Sequence, residues 1–200
     1  MAVLCRLRVM GDKDDRDVAL LVEALEQLHD LDTRLGIQLA AAAEPFKSLI
    51  DPDYAAFFKP GNMPERIQAF CDQTGQTVPS DKGSVVRCAL ESLALKYRWV
   101  VEKIEALTGL RQEAIHIVGG GTKNRLLSQF TADATGKPVI TGPVEATAIG
   151  NLLTQAIALG EIASWEEAVQ VVKRSFEVET FEPRHTPAWD EAYERLVKLL

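Results

Sequence analysis

The residues with the clearest chemical potential are three consecutive glycines, Gly119, Gly120 and Gly121, between a β-branched run and a helical pattern. Without Cβ atoms, they let a flat ring or a phosphate approach the backbone closely. The N–H groups that begin the following helix favour anions. However, the spacing fits neither the dinucleotide-binding G-x-G-x-x-G motif nor a P-loop. A ligand cradle and a tight strand–helix turn with positive φ are therefore equally good interpretations.

Asn124 also has two interpretations. Its side chain can cap the helix that begins beside it, or its amide can donate to and accept from the edge of an adenine ring. Gln129 and Asp133 lie on the same helix, and we expect both on its solvated face. No C-x-x-C pair occurs, and the histidines are scattered, so the spacing predicts no metal site.

The elements that must position these residues form a strand–helix–strand unit. Residues 115–118 and 138–141 are short apolar runs typical of buried parallel strands, and residues 124–135 form a helical pattern between them. Ligands bind beyond the carboxyl ends of the strands in such sheets, which is where the glycines lie. Further helices are predicted over residues 18–28, 35–43, 62–75, 83–107, 142–160, 165–176 and 187–200, and residues 176–187 are predicted to be extended.

The longest predicted helix covers residues 83–107. Ser80 or Asp81 can cap it and Gly109 ends it. Its apolar residues recur at intervals of three and four and predict one buried face: Val86, Leu90, Leu93, Tyr97, Val100, Ile104 and Leu107. Only two strands are clear, which is few for so many helices. Either further strands lie in residues 1–50, where residues 3–9 alternate, or strands are missing from this chain.

Composition limits the function classes. The 200 residues are 46% hydrophobic, and the net charge of −7 argues against a nucleic-acid groove, which needs a basic stripe. No apolar run approaches the length of about 18–20 residues that crosses a bilayer. The apolar start is short and interrupted by Arg6 and Arg8, unlike a secretory signal. We therefore expect no membrane partner and a cytoplasmic location.

Several stretches together carry a family resemblance. The first runs from Val118 to Gln129 and contains the glycines, Asn124 and two leucines. The others are "ADATGKPV" from Ala132, "GPVEATAIGN" from Gly142, "ESLALKYR" from Glu91, and the stretch from Ser48 to Met63 that begins "SLIDPD". Taken together in chain order, these stretches resemble the FGGY carbohydrate kinases, and within them the rhamnulokinase subgroup. The resemblance covers residues 44–200, whereas residues 1–43 form a divergent N-terminal segment.

The resemblance implies an α/β fold, the actin-like (ribonuclease H-like) C-terminal lobe of a sugar kinase, strand-poor because it is truncated at the N-terminus. It implies transfer of the ATP γ-phosphate, with Mg²⁺, to a sugar hydroxyl. In rhamnulokinases that sugar is L-rhamnulose. Gly119, Gly120 and Gly121 would lie against the nucleotide and Asn124 near the adenine. Cys71 and Cys88 resemble a pair that is bridged in some relatives, although two reduced thiols are the safer expectation in a cytosolic chain.

The same resemblance implies what the isolated chain lacks. The catalytic aspartate of the family lies in a G-x-H-D-T-like motif upstream, and no such motif occurs here. We therefore assign no catalytic or metal-binding residue and expect the isolated chain to be inactive. The sugar is expected to bind only if the missing lobe is supplied, by a separate N-terminal lobe or another association, including with itself. The alternatives are a non-catalytic ATP-binding or interaction module and a degenerate kinase fragment.

Overall fold

The computed structural model describes residues 33–58, 61–184 and 186–200. The predicted strand over residues 3–9 and the predicted helix over residues 18–28 lie outside this part. The helices and strands, in chain order, are α1 (33–42), α2 (Met63–Gln73), α3 (Lys82–Thr108), β1 (Ile115–Ile117), α4 (Arg125–Thr135), β2 (Val139–Thr141), α5 (Ala146–Ala158), α6 (Trp165–Ser175), β3 (Glu179–Phe181) and α7 (Pro187–Val197). Short 3₁₀ helices cover Ala55–Phe58 and Gly119–Lys123.

The described strands form one sheet in the order β1-β2-β3. β1 and β2 are parallel, as predicted, with Ile115 opposite Val139 and Ile117 opposite Thr141. β3 is antiparallel to β2, with Glu179 opposite Thr141. The two predicted strands are therefore parallel as expected, whereas the sheet as a whole is mixed. Residues 179–181 lie in the stretch that is predicted to be extended, but three residues between two helices give too short a pattern to identify a strand.

Helix α4 is the centre of the packing. On one side, Ala132 joins Val139 and Phe181 of the sheet in a buried cluster. On the other side, Phe130 packs with residues of α3 and α7, including Leu95 and Trp189. The helix is therefore buried on both sides, although its sequence is rich in hydroxyl groups. This is possible because Ser128 and Thr131 donate their hydroxyls to carbonyls of the preceding turn.

Helix α3 has the predicted bounds but not the predicted buried face. Asp81 caps its start by accepting the N–H of Ser84 at 3.0 Å, and Gly109 ends it with a left-handed φ of 69°. Its buried residues include Cys88, Ser92 and Leu95. By contrast, the last turns of the predicted stripe are exposed: Tyr97, Val100, Ile104 and Leu107. The prediction fails there because only the first part of α3 is covered by the core, and buried Ser92 satisfies its hydroxyl by donating to the carbonyl of Cys88.

Candidate functional site

The glycine loop forms the 3₁₀ helix after β1, and its three glycines have different requirements. Gly119 has a φ of 77°, which L side chains rarely adopt, so the turn itself needs glycine there. Gly120 has no positive φ, and a Cβ on it would meet nothing within 4 Å. A Cβ on Gly121 would make only ordinary contact with Ile117, at 3.5 Å. The turn therefore requires glycine at one position only, and of the two other exposed glycines, Gly120 faces open space.

The loops that follow β1 and β2 are joined by backbone hydrogen bonds. The N–H of Gly142 donates to the carbonyl of Ile117 at 2.7 Å, and the N–H of Gly119 donates to the carbonyl of Pro143 at 3.1 Å. A Cβ on Gly142 would lie 3.0 Å from Cγ1 of Val118, so this exposed side chain would have to shift by a few tenths of an ångström to admit it. The carboxyl ends of the two parallel strands therefore form one continuous rim.

Asn124 caps α4, as one of its two interpretations predicts. Its Oδ1 accepts the N–H of Leu127 at 3.1 Å, and its own N–H donates to the carbonyl of Gly121 at 3.2 Å. The side chain is half-buried, and among the described residues its Nδ2 group has no hydrogen-bond partner. The cap uses the oxygen of the amide and leaves its nitrogen available.

A cavity of about 880 Å³ opens at this rim. It is lined by Thr122 and Arg125, by the loop at 141–145 after β2, and by residues 176–180 that lead into β3. Thr122 belongs to the glycine loop and donates its hydroxyl to the carbonyl of Gly119 at 2.8 Å, so the cavity and the glycine loop share a wall. Its volume falls in the usual range for a small-molecule or cofactor site, about 300–1,000 Å³.

Arg125, the first residue of α4, reaches across the end of β2. Its Nη2 forms an ion pair with the carboxylate of Glu179 at the start of β3, and its guanidinium lies 5.8 Å from the centre of the Phe181 ring. Thr141 of β2 donates its hydroxyl to the backbone carbonyl of the same glutamate at 3.1 Å. No motif in the sequence marks Arg125, because its position beside β3 depends on the strand pairing.

The prediction that Gln129 and Asp133 lie on a solvated helix face is wrong for Asp133, which is buried. Its Oδ1 accepts hydrogen bonds from the side-chain amide of Gln129 at 2.8 Å and from the backbone N–H of Arg184 at 2.7 Å. Gln129 also donates to the carbonyl of Glu182 at 2.9 Å. These two side chains hold the chain beyond β3 against α4, which the sequence pattern of α4 alone does not indicate.

The other residues considered for chemistry lie apart from the rim or outside the described residues. His116 is exposed on β1, and His29, His185 and Cys5 are outside the described part. Cys71 and Cys88 are buried as free thiols in a cluster between α2 and α3. Among residues 33–58, 61–184 and 186–200, no group of three or more His, Cys, Asp or Glu side chains could hold a metal ion. In the same ranges, no helix is long and apolar enough to cross a bilayer.

Comparison with known families gives a direct match. Residues 15–159 match the C-terminal domain of the FGGY family of carbohydrate kinases. A rhamnulokinase of Bacteroides thetaiotaomicron is 47% identical over 154 residues, which is 77% of this chain and 32% of that protein. A rhamnulokinase of Klebsiella pneumoniae is 38% identical over 178 residues, 89% of this chain and 36% of that protein. The chain spans about a third of the length of these curated relatives.

Solved structures share the fold at low sequence identity. A xylulose kinase from Rhodospirillum rubrum superimposes with a TM-score of 0.57 and 23% identity, over 83% of this chain and 32% of that one. A Plasmodium falciparum glycerol kinase, solved with ADP, gives a TM-score of 0.58 and 19% identity, over 90% of this chain and 36% of that one. The small mixed sheet with its helices is thus the fold found in part of these sugar kinases.

Proposed function

This chain belongs to the FGGY family of carbohydrate kinases, through its C-terminal domain, and we propose that it is the nucleotide-binding part of an ATP-dependent sugar kinase. Its actin-like fold agrees with the expectation from the sequence. In this proposal, ATP lies along the rim at the carboxyl ends of β1 and β2. Gly119, Gly120 and Gly121 contact the nucleotide, and the Nδ2 group of Asn124 lies near the adenine.

The observation that carries the proposal is the open backbone at Gly120. The turn does not require glycine at this position, since its φ is not positive and a Cβ would meet nothing within 4 Å. Glycine at this position is explained if another molecule occupies the space where a side chain would lie. The cavity of about 880 Å³ beside it is large enough for a nucleoside.

The reaction that we propose for the whole kinase is phosphoryl transfer to a sugar hydroxyl. The hydroxyl oxygen bonds to the γ-phosphorus, the bond from that phosphorus to the β–γ bridging oxygen breaks, and ADP leaves while the hydroxyl proton passes to a base. Such catalysis consists mostly of positioning and charge stabilisation. The share of this domain is to hold the adenosine and orient the phosphates. Given the rhamnulokinase relatives, the proposed sugar is L-rhamnulose and the product its 1-phosphate.

Mg²⁺ is proposed to enter with ATP. Magnesium in kinase sites is bound by one or two carboxylates together with the phosphates of the substrate. Among the described residues, no group of three or more ligating side chains occurs, and we assign no residue of this chain to the ion. Its chemistry would be to neutralise the charge that develops on the transferred phosphoryl group.

The purified chain is expected to bind MgATP with saturable heat at millimolar nucleotide or below, because the rim and the cavity are formed within this domain. Isothermal titration calorimetry measures this, with a thermal-shift series as a second readout and MgCl₂ alone as the control. The absence of both heat and a thermal shift at millimolar MgATP would contradict the proposal.

In an ADP-release assay with L-rhamnulose, we expect no turnover by this chain alone, because it has no G-x-H-D-T motif.

Two substitutions of Asn124 separate its proposed roles. Asn124→Ala removes the oxygen that accepts the N–H of Leu127, so it should cost about 1 kcal/mol of stability and weaken MgATP binding. Asn124→Ser keeps a cap of similar quality but has no amide nitrogen, so it should retain stability and still bind MgATP more weakly. Urea unfolding and calorimetry measure the two effects. If Asn124→Ser binds MgATP as the wild type does, the amide does not contact the nucleotide.

A further inference from the structure

We infer that Arg125 is the stacking platform for the nucleobase, an inference that rests on the proposed function. Arg125 lines the cavity beside the glycine loop, and its side chain is 72% exposed. A planar guanidinium can stack on the flat face of a base. The inference concerns which part of the nucleotide occupies the cavity and which side chain of this chain holds it.

Two contacts restrain the guanidinium of Arg125. Below it lies the ring of Phe181, which is buried, with its centre 5.8 Å from the guanidinium carbon. Beside it, the carboxylate of Glu179 forms an ion pair with Nη2. The backbone of Glu179 is itself held by β-pairing and by the hydroxyl of Thr141. These contacts hold the guanidinium beside the cavity while most of the side chain stays exposed, so a base in the cavity can stack on it.

The charged residues that line the cavity indicate whether it binds the base or the phosphates of the nucleotide. Its charged lining residues are Glu145, Glu177 and Glu179 against Arg125 alone. A triphosphate placed among three carboxylates would be repelled, since like charges at close range are unfavourable. Ribose hydroxyls and base amino groups, by contrast, can donate hydrogen bonds to carboxylates. The adenosine end therefore fits the cavity, and the phosphates fit the bare backbone of the glycine loop.

The alternative role for Arg125 is to bind a phosphate directly. The ion pair with Glu179 already neutralises this guanidinium, so its attraction for a phosphate is reduced. A phosphate site also needs only positive charge, whereas a stacking site needs the planar group. Lysine supplies the charge without the plane. Replacement by lysine thus distinguishes the two roles.

The test compares Arg125→Lys and Arg125→Ala with the wild type, using MgATP and inorganic tripolyphosphate as probes. Calorimetry gives the affinity for MgATP, and competition against MgATP gives that for tripolyphosphate. Both variants are expected to bind MgATP about tenfold more weakly and to change tripolyphosphate binding less than about twofold. Arg111→Lys and Arg111→Ala are the matched controls, because Arg111 is exposed and precedes β1, at the opposite end of the strand. Circular dichroism checks that each variant is folded.

Three results would overturn the inference. Unchanged MgATP affinity in both Arg125 variants would show that this side chain does not hold the base. An equal loss for MgATP and tripolyphosphate in Arg125→Ala, with recovery in Arg125→Lys, would assign it to phosphate binding. A loss of the same size in Arg111→Ala would show a general effect of net charge. If the wild type does not bind MgATP at all, the proposed function itself fails, which is distinguishable from these outcomes.

Discussion

Replacing Glu91 by alanine is expected to lower the free energy of unfolding by about 3–5 kcal/mol, the usual cost of breaking a buried ion pair from one side. Glu91 lies on α3 with 1% of its side chain exposed, and Arg87, one turn earlier, has 12% exposed. The Nε of Arg87 donates to Oε1 of Glu91 at 2.6 Å. Natural domains are stable by only about 5–15 kcal/mol, so this one change would remove a large share.

Glu91 also holds a loop in a conformation that its own residues do not favour. Phe46 has a φ of 55°, which is uncommon for a residue with a side chain. Its N–H donates to Oε2 of Glu91 at 2.9 Å, and its carbonyl accepts from Arg195 at 2.6 Å. The loop then packs the Phe46 ring edge-on against Trp189 in the main core. Without Glu91, the N–H of Phe46 and the Nε of Arg87 both lose their acceptor.

Burial raises the pKa of Glu91 above its ordinary value, while the charge of Arg87 and the N–H of Phe46 act in the opposite direction. Ionising the carboxyl group of Glu91 is thus less favourable in the fold than in water, even with these partners. The raised pKa does not mean that Glu91 can be removed without loss of stability. The cost of Glu91→Ala comes from the partners that remain buried, and not from the intrinsic strength of the pair.

Urea unfolding followed by circular dichroism measures the effect. The control is Glu44→Ala, because Glu44 also forms an ion pair with a residue one turn away in sequence, Lys47, but its side chain is 66% exposed. Exposed pairs contribute about 0–1 kcal/mol. Equal losses in the two variants would mean that the buried network of Glu91 contributes no more than a surface pair.

The local elements were predictable from the sequence because they depend on neighbouring residues. Helix α3 begins beside Asp81 and ends at Gly109, and α4 ends at Gly136, as their capping chemistry predicts. The strand–glycine–helix–strand unit was predicted for the same reason. The place of the glycine loop at the carboxyl ends of β1 and β2 could be predicted as well. That this loop binds a ligand, as loops at such ends do in α/β sheets, stays a prediction.

Features that depend on distant contacts were not predictable. β3 is only three residues long and becomes a strand through pairing with β2. The buried face of α3 includes Ser92 and Glu91, whose partners come from residues 46–50. Arg125 gains its place at the cavity from Glu179, 54 residues later in the chain. In each case, the sequence pattern within one element does not contain the information that decides the outcome.

The structure separates the glycines that the sequence groups together. The fold needs glycine at 119, for a φ of 77°, and leaves little space for a side chain at 142, beside Val118. It places no such demand on Gly120. A position that stability does not restrict and that faces open space is where a substitution can change ligand binding without changing the fold. Gly120 is therefore the most informative position at which to test the proposed nucleotide site.

Gly120→Val is expected to weaken MgATP binding at least about tenfold, equivalent to about 1.4 kcal/mol, while leaving the thermal stability nearly unchanged. The β-branched side chain would occupy the space in which we place the nucleotide, and overfilling a close contact costs about 1–3 kcal/mol. Stability should be retained because the added Cβ meets no atom of the fold within 4 Å and the backbone has no positive φ. Calorimetry with MgATP and a thermal melt measure the two quantities on the same preparation.

Gly150→Val is the matched control for Gly120→Val. Gly150, in α5, also has no positive φ and has open space at its Cβ position, but it does not line the cavity. MgATP affinity should stay at the wild-type value in this variant, and Gly120→Ala should lie between the wild type and Gly120→Val. Equal affinity in Gly120→Val and Gly150→Val would place the nucleotide away from the glycine loop. A melting temperature that falls only in Gly120→Val would instead mean that the loop is needed for the fold, because a ligand-contact role alone does not change the stability of the free protein.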